Sequence, residues 1–283
     1  MPRRLPALLA VVAIVVAACS GTSSSPAAPA LSDPRAIMTS AASSLQNLKS
    51  VHFKLAVSGH INPGVVTGGG SDASPAPGAS PALLDLSGTT VEGDLDVTDR
   101  SVQVAVSVPT IFGLTANVVE VGGVAYIKSS LTGALYEKLD TTAFTSALPI
   151  PSLGVAGSPD PAAASAMISQ LDAELAKLPQ PTKLADETVN GQDSYHVQEK
   201  VASTDVPQAS GLLGSATGAL TVDLWTSKAD LRPSRLVVLI DAGSDGSLTL
   251  TIDLTNYDAA VTIAPPPANQ VSDKPFSVPG LTP

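Results

Sequence analysis

Apolar and polar residues alternate one by one through many short segments of this chain, which restricts it to a protein built mainly of β-strands. In one such segment Val102, Val104 and Val106 are each separated by a small or polar residue. A period of two places the apolar side chains on one face of a strand. Between two other segments, Asn190-Gly191 is typical of a tight hairpin turn, which joins antiparallel neighbours. The pattern therefore predicts a large antiparallel sheet.

Two segments carry a helical period instead. The first begins at Asp33-Pro34, an N-cap followed by proline in the first turn, and is predicted to last to about Lys49. The second begins at Asp160-Pro161. The first apolar stripe contains Ile37, Met38, Ala41, Leu45 and Leu48, and the second contains Met167, Ile168, Leu171, Leu175 and Leu178. The order is helix, about five strands, helices and about five strands, which predicts an α+β fold: one curved antiparallel sheet of about ten strands with helices against one face.

The N-terminus has the order of an export signal. Arg3 and Arg4 precede an apolar run, Leu5 to Ala18, which is too short to cross a bilayer core. Cys19, the only cysteine of the chain, follows two alanines, as in a lipobox. We therefore expect residues 1–18 to be a signal peptide and Cys19 to be the lipid-attachment residue at the outer face of the cytoplasmic membrane. The alternative is an ordinary signal, cut after Ala18, in which Cys19 has no role.

The remaining boundaries follow from composition. Residues 19–30 are rich in Ser, Pro and Ala and predict a flexible tether. A single domain is predicted over 31–264. It is interrupted by a Gly/Pro/Ser-rich insertion at 62–81, predicted to be disordered, and followed by a Pro-rich tail at 265–283.

Charge and apolar content exclude some functions and leave others open. The net charge is −10, and it becomes −12 once residues 1–18, with two arginines and no acid, are removed. This balance disfavours a nucleic-acid or anionic-lipid binder, which needs clustered Lys and Arg. Charged residues make up only 14% of the chain against 44% apolar ones, so much aliphatic surface must be hidden. A large core and an apolar cavity both satisfy that requirement.

Motifs for catalysis or metal binding are absent from the sequence. The three histidines, His52, His60 and His196, have no zinc-site spacing and no cysteine partner. The segment 214–218 resembles a nucleophile elbow but has Ala216 in place of serine, and the glycines at 68–70 lack the strand and helix of a phosphate loop. We therefore expect no enzymatic activity and no cofactor. A hydrolase of unfamiliar type is the least favoured possibility.

Several segments carry a resemblance to a known family. The chain resembles the LppX/LprG-type (LppX/LprAFG) lipoproteins over about residues 31–272. The similar segments are a helix-to-strand passage at 48–55, hairpins at 121–127 and 187–195, and the last strands at 220–225, 232–233 and 248–257.

That resemblance implies a half-barrel whose concave face, covered by helices, encloses an apolar cavity for acylated lipids or glycolipids. It implies a carrier in the cell envelope, with an envelope lipid transporter as a possible partner; the alternative is a structural or interaction lipoprotein with a filled core. The residues expected to line the cavity are Ile37, Met38, Ala41, Leu45, Val102, Val104, Val106, Met167, Ile168, Leu171, Leu175, Leu236, Val238, Leu250 and Ile252. Plain core packing is the competing interpretation of each.

Overall fold

The computed structural model describes residues 31–62, 83–140, 180–202 and 219–275. Residues 31–283 form one compact unit, separate from residues 1–30. Several predictions lie outside the described residues. They concern the signal peptide, Cys19, the tether, almost all of the insertion, and the stripe of Met167, Ile168, Leu171 and Leu175.

One sheet of 14 strands contains every described strand. Its members are β1 (Ser50–Ile61), β2 (Leu84–Asp85), β3 (Thr89–Asp96), β4 (Ser101–Val108), β5 (Leu114–Val121), β6 (Val124–Ser129), β7 (Tyr136–Asp140), β8 (Thr182–Lys183), β9 (Glu187–Val189), β10 (Gln192–Ala202), β11 (Ala219–Ser227), β12 (Pro233–Asp241), β13 (Gly246–Thr255) and β14 (Val271–Pro275). The spatial order is β14-β7-β6-β5-β4-β3-β1-β13-β12-β11-β10-β8, with β2 beside β1 and β9 beside β10. The path has two ends, so the sheet is not closed.

The strand count differs from the prediction of about ten. The added strands are short: β2, β8 and β9 have two or three residues each, too few to show an alternating pattern. The strand β14 lies within the predicted Pro-rich tail and pairs with β7. These two strands are parallel, whereas the other paired strands of the described residues are antiparallel. Both differences arise because a short strand is stabilised by its neighbour more than by its own sequence.

The helix α1 (Pro34–Ser44) is the one α-helix of the described residues; the helix predicted from Asp160-Pro161 lies outside them. The helix α1 begins as expected, because the Asp33 carboxylate accepts a 3.2 Å hydrogen bond from the Arg35 amide. It ends five residues before Lys49. The amides of Leu45 and Gln46 donate to Ala42 and Ser43, three residues back, so the last turn tightens and the helix stops.

The register places most of the apolar residues of the long strands on one face, although Val119, Val237 and Leu239 lie on the other. Directly paired residues in antiparallel strands share a face, and Leu55 of β1 pairs with Val91 on one side and with Ile252 on the other. The row extends over eight strands without a polar residue. It consists of Ala116, Val106, Val91, Leu55, Ile252, Leu236, Leu224 and Val197. We call the face that contains this row the apolar face, and the opposite one the polar face.

One buried cluster of the apolar face lies under α1. Ile37 of α1 is 0% exposed and clusters with Tyr195 and Val197 of β10. Tyr195 also accepts a 3.1 Å hydrogen bond from the Leu31 amide at its hydroxyl, which fixes the chain just before the helix. The helix therefore covers the β10–β11 end of the sheet.

Candidate functional site

The apolar face brings together all seven strand residues that were predicted to line a cavity. In β12 and β13, Leu236 pairs directly with Ile252, and Val238 pairs with Leu250. The other three residues follow one another along β4 and pair with Leu95, Gly93 and Val91 of β3. All seven are half-buried: Val102, Val104, Val106, Leu236, Val238, Leu250 and Ile252. The middle of the face is thus aliphatic and incompletely covered.

The four residues predicted from the first helical segment divide into two groups. Ile37 and Ala41 are 0% and 2% exposed, as core residues are. Met38 and Leu45 are half-buried, and Met38 packs against the cluster around Ile37. Ile37 and Ala41 therefore pack as core residues on the buried face of a helix, which is the alternative to cavity lining.

Acidic side chains also lie on the apolar face, and the sequence analysis missed them. Glu199 of β10 pairs with Val222 of β11 and is 6% exposed, and its Oε1 has no hydrogen-bond partner within the described residues. Burial raises the pKa of the Glu199 carboxyl, and the positive charge of Arg35 opposes this only in part. Glu120 of β5, also buried, pairs with Val102 on the same face. Both occupy positions where the alternating pattern calls for an apolar residue, so the signal was in the sequence.

Most of the buried oxygen atoms that lack a partner share this face. Glu199, Thr89, Glu137 and Thr226 each have such an atom, and their strand partners are Val222, Val57, Ile127 and Tyr195. A buried polar atom without a hydrogen bond costs about 1–3 kcal/mol. The apolar face is therefore not purely hydrocarbon: it contains fixed hydrogen-bonding positions among the described residues.

A groove of about 470 Å³ lies on the polar face. Its walls come from β1, β3, β4 and β5, and most of its lining residues belong to the polar register; Val104 and Val106 are the two it shares with the predicted cavity. His52 contacts Asp94 there at 2.8 Å. The described residues contain no group of three His, Cys, Asp or Glu that could hold a metal ion.

A second polar cluster surrounds His196 on the polar face of β10. Its Nδ1 lies 3.3 Å from Glu187 and its Nε2 lies 2.8 Å from Asp223, while its ring stacks on Trp225 with centroids 4.1 Å apart. Trp225 in turn donates a 3.0 Å hydrogen bond to Glu187. Both ring nitrogens of His196 contact carboxylates, so the cluster ties β9, β10 and β11 together as a structural unit.

Within the described ranges, no helix has both the length and the apolar character needed to cross a bilayer.

The family that the sequence matches places the chain in the class of lipoproteins. The model of one family of that class, the LppX_LprAFG lipoproteins, matches residues 33–263, and the chain belongs to this family.

Solved structures similar to this chain include two lipoproteins of the same family. LppX of Mycobacterium tuberculosis is 11% identical, with 82% of this chain and 98% of that chain covered and a TM-score of 0.49. LprF of Mycobacterium bovis is 18% identical, with coverage of 82% and 96% and a TM-score of 0.47. A LolA-superfamily protein of Nitrosomonas europaea is 11% identical, with coverage of 86% and 98% and a TM-score of 0.24. Among curated proteins, none matches the chain.

Proposed function

We propose that this protein is a membrane-anchored, non-catalytic carrier that binds acylated lipids or glycolipids on its apolar face and moves them across the cell envelope. The observation that supports this is the uninterrupted apolar row over eight strands, half-buried in its middle. In the proposed protein this face is the inside of a strongly curved half-barrel, which helices cover around a cavity. Cys19 is the lipid-attachment residue, and residues 19–30 are the tether.

The physical basis is the transfer of acyl chains out of water. Each buried methylene contributes about 0.8 kcal/mol, and aliphatic side chains accept a chain without directional demands. The half-buried residues of β4, β12 and β13 supply such a surface. An envelope lipid transporter remains the proposed partner.

The processed lipoprotein, purified from a host with related lipids, tests the proposal by native mass spectrometry. We expect co-purified acyl lipids, which are released in denaturing solvent. A lipid-free protein that also fails to take up acyl lipids contradicts the carrier function and favours the structural or interaction lipoprotein.

Substitutions on the two faces of β12 sharpen this test. Val238→Asp places a charge on the apolar face and should lower the bound lipid about tenfold or more, because a buried charge is costly. Leu239→Asp is the matched control, since Leu239 is the next residue, is exposed and belongs to the polar face. Equal lipid content in the two variants contradicts binding at the apolar face.

A further inference from the structure

Two adjacent turns present large apolar side chains to solvent at one end of the sheet. In the turn between β4 and β5, Phe112 is 100% exposed and Ile111 is also exposed. In the turn between β6 and β7, Leu131 is 72% exposed and Leu135 is exposed as well. We call residues 109–113 and 130–135 together the apolar tip. Exposed apolar groups that cluster in this way mark an interaction surface.

The tip is held in place by hydrogen bonds. The β6–β7 turn is joined to the start of β5, because the Ser130 amide donates to the Thr115 carbonyl at 2.8 Å and the Thr115 amide donates to the Ser130 hydroxyl at 3.1 Å. Within the first turn, the Gly113 amide donates to the Pro109 carbonyl at 3.1 Å. Phe112 has a φ of +51°, a left-handed conformation that is costly for a bulky residue. The fold thus fixes the aromatic ring outside the core.

Charge distinguishes this end of the β4–β7 half from the opposite end. Segments 109–114 and 130–135 contain no Asp, Glu, Lys or Arg. At the other end of β4, the turn at 97–100 contains Asp99 and Arg100. An uncharged apolar turn whose backbone groups bond internally suits the bilayer interface, where unsatisfied backbone groups are costly.

The apolar face runs directly into the tip. Val108 and Leu114 pair at the last position of β4 and the first of β5, on the same side as Val106. Val108 is buried and Leu114 is half-buried, so the apolar surface is continuous from the middle of the sheet to the turn that holds Phe112. A ligand acyl chain that leaves the face at this end meets no charged side chain of the tip.

We propose that the apolar tip inserts into a lipid bilayer and is the place where acyl chains pass between the membrane and the apolar face. This rests on the proposed carrier function and specifies its membrane contact. The tether of 12 residues reaches about 40 Å when extended, more than the roughly 26 Å length of β4, so an anchor at Cys19 does not dictate which end of the sheet meets the bilayer. Because the tip contains no charged residue, its insertion into a neutral bilayer is driven by apolar burial and should depend little on salt.

A fluorescent probe in the tip tests the insertion directly. Cys19, the only cysteine, has no reactive thiol once it is acylated, so Thr110→Cys gives a single labelling site beside Phe112 and leaves Phe112 intact. The processed lipoprotein, labelled with an environment-sensitive dye and reconstituted in phosphatidylcholine vesicles, should show a blue-shifted emission that spin-labelled lipids quench. Val97→Cys is the matched control, because Val97 is an exposed apolar residue in the turn at the opposite end. An aqueous signal at 110, or equal signals at both positions, overturns the proposal.

Transfer kinetics test the passage of lipid. The double substitution Phe112→Ser and Leu131→Ser should slow lipid transfer between vesicles about tenfold or more, because each side chain loses the free energy of membrane burial. Lipid already bound to the apolar face should stay at its wild-type amount. Val97→Ser should leave the rate unchanged. A wild-type transfer rate in the double variant overturns the passage, whereas a protein that inserts its tip but never holds lipid contradicts the carrier function alone.

Discussion

A single acidic residue shows how the face that is proposed to bind lipid departs from an ordinary core. Val197, Glu199 and Val201 are alternate residues of β10, so all three belong to the apolar face. Desolvation raises the pKa of its carboxyl, since burial penalises the charged form. Because Oε1 has no hydrogen-bond partner within the described residues, the fold does not compensate the ionised carboxylate fully. Glu199 therefore costs stability near neutral pH.

The sign of this effect gives a prediction. A pKa raised above its ordinary value of 4.5 means that the folded state favours the proton, so the free energy of unfolding falls as pH rises from about 4.5 toward the raised pKa. Glu199→Gln should remove that slope and increase the free energy of unfolding near pH 7 by about 1 kcal/mol. Urea unfolding between about pH 4 and pH 7 measures both.

Asp273→Asn is the control for the change of net charge, because Asp273 is exposed. It should leave the pH slope unchanged. A Glu199→Gln protein with the wild-type slope shows that Glu199 is ionised at no cost in the folded state.

At the scale of the elements, the close approach of β3 and β4 depends on one glycine. Gly93 is buried and pairs with Val104, and a Cβ atom added to it would overlap the carbonyl oxygen of Gln103. The nearest atoms are the carbonyl group of Gln103 and the Cα of Val104, all of them backbone atoms that a rotamer change does not move. The two strands must therefore separate to accommodate any larger residue.

Gly93→Ala should lower the free energy of unfolding by about 1–3 kcal/mol, the cost of forcing atoms into a packed site. Val104→Ala, its cross-strand neighbour, removes half-buried methyl groups without a clash and should cost about 1 kcal/mol. Chemical denaturation of both variants measures the difference. A Gly93→Ala protein at least as stable as wild type contradicts the close approach.

Local features were predictable from the sequence, while pairing between distant elements was not. The Asn190-Gly191 turn was predicted because both residues accept positive φ, and they have φ of 52° and 77° in the structure. The start of α1 was equally predictable, because Asp33-Pro34 supplies the N-cap and a proline in the first turn. The pairing of β14 with β7 joins residues more than 130 positions apart, and no local pattern specifies it. The seven strand residues of the proposed site could be placed on one face from their alternation alone.

For the whole molecule, the proposed lipid anchor at Cys19 can be tested by the location of the protein in cell fractions. Cys19→Ala should either release the protein from the membrane fraction or leave an uncleaved precursor, because the lipid-attachment step needs the cysteine thiol. Fractionation with immunoblotting distinguishes these outcomes. Ser20→Ala is the matched control and should stay in the membrane fraction with wild-type mobility. A Cys19→Ala protein that behaves like Ser20→Ala excludes lipid attachment at this residue.

The centre of the sheet also constrains how the molecule is made. β1 is flanked on one side by β3 and on the other by β13, so residues near 50 pair with residues near 250. This seam cannot form until the chain has been synthesised to about residue 250, so the sheet stays incomplete while the polypeptide emerges from the ribosome. Pairing over such a distance is also intrinsically slow. In a chain that is exported as proposed, the topology therefore lengthens the interval in which the polypeptide is still open enough to be translocated.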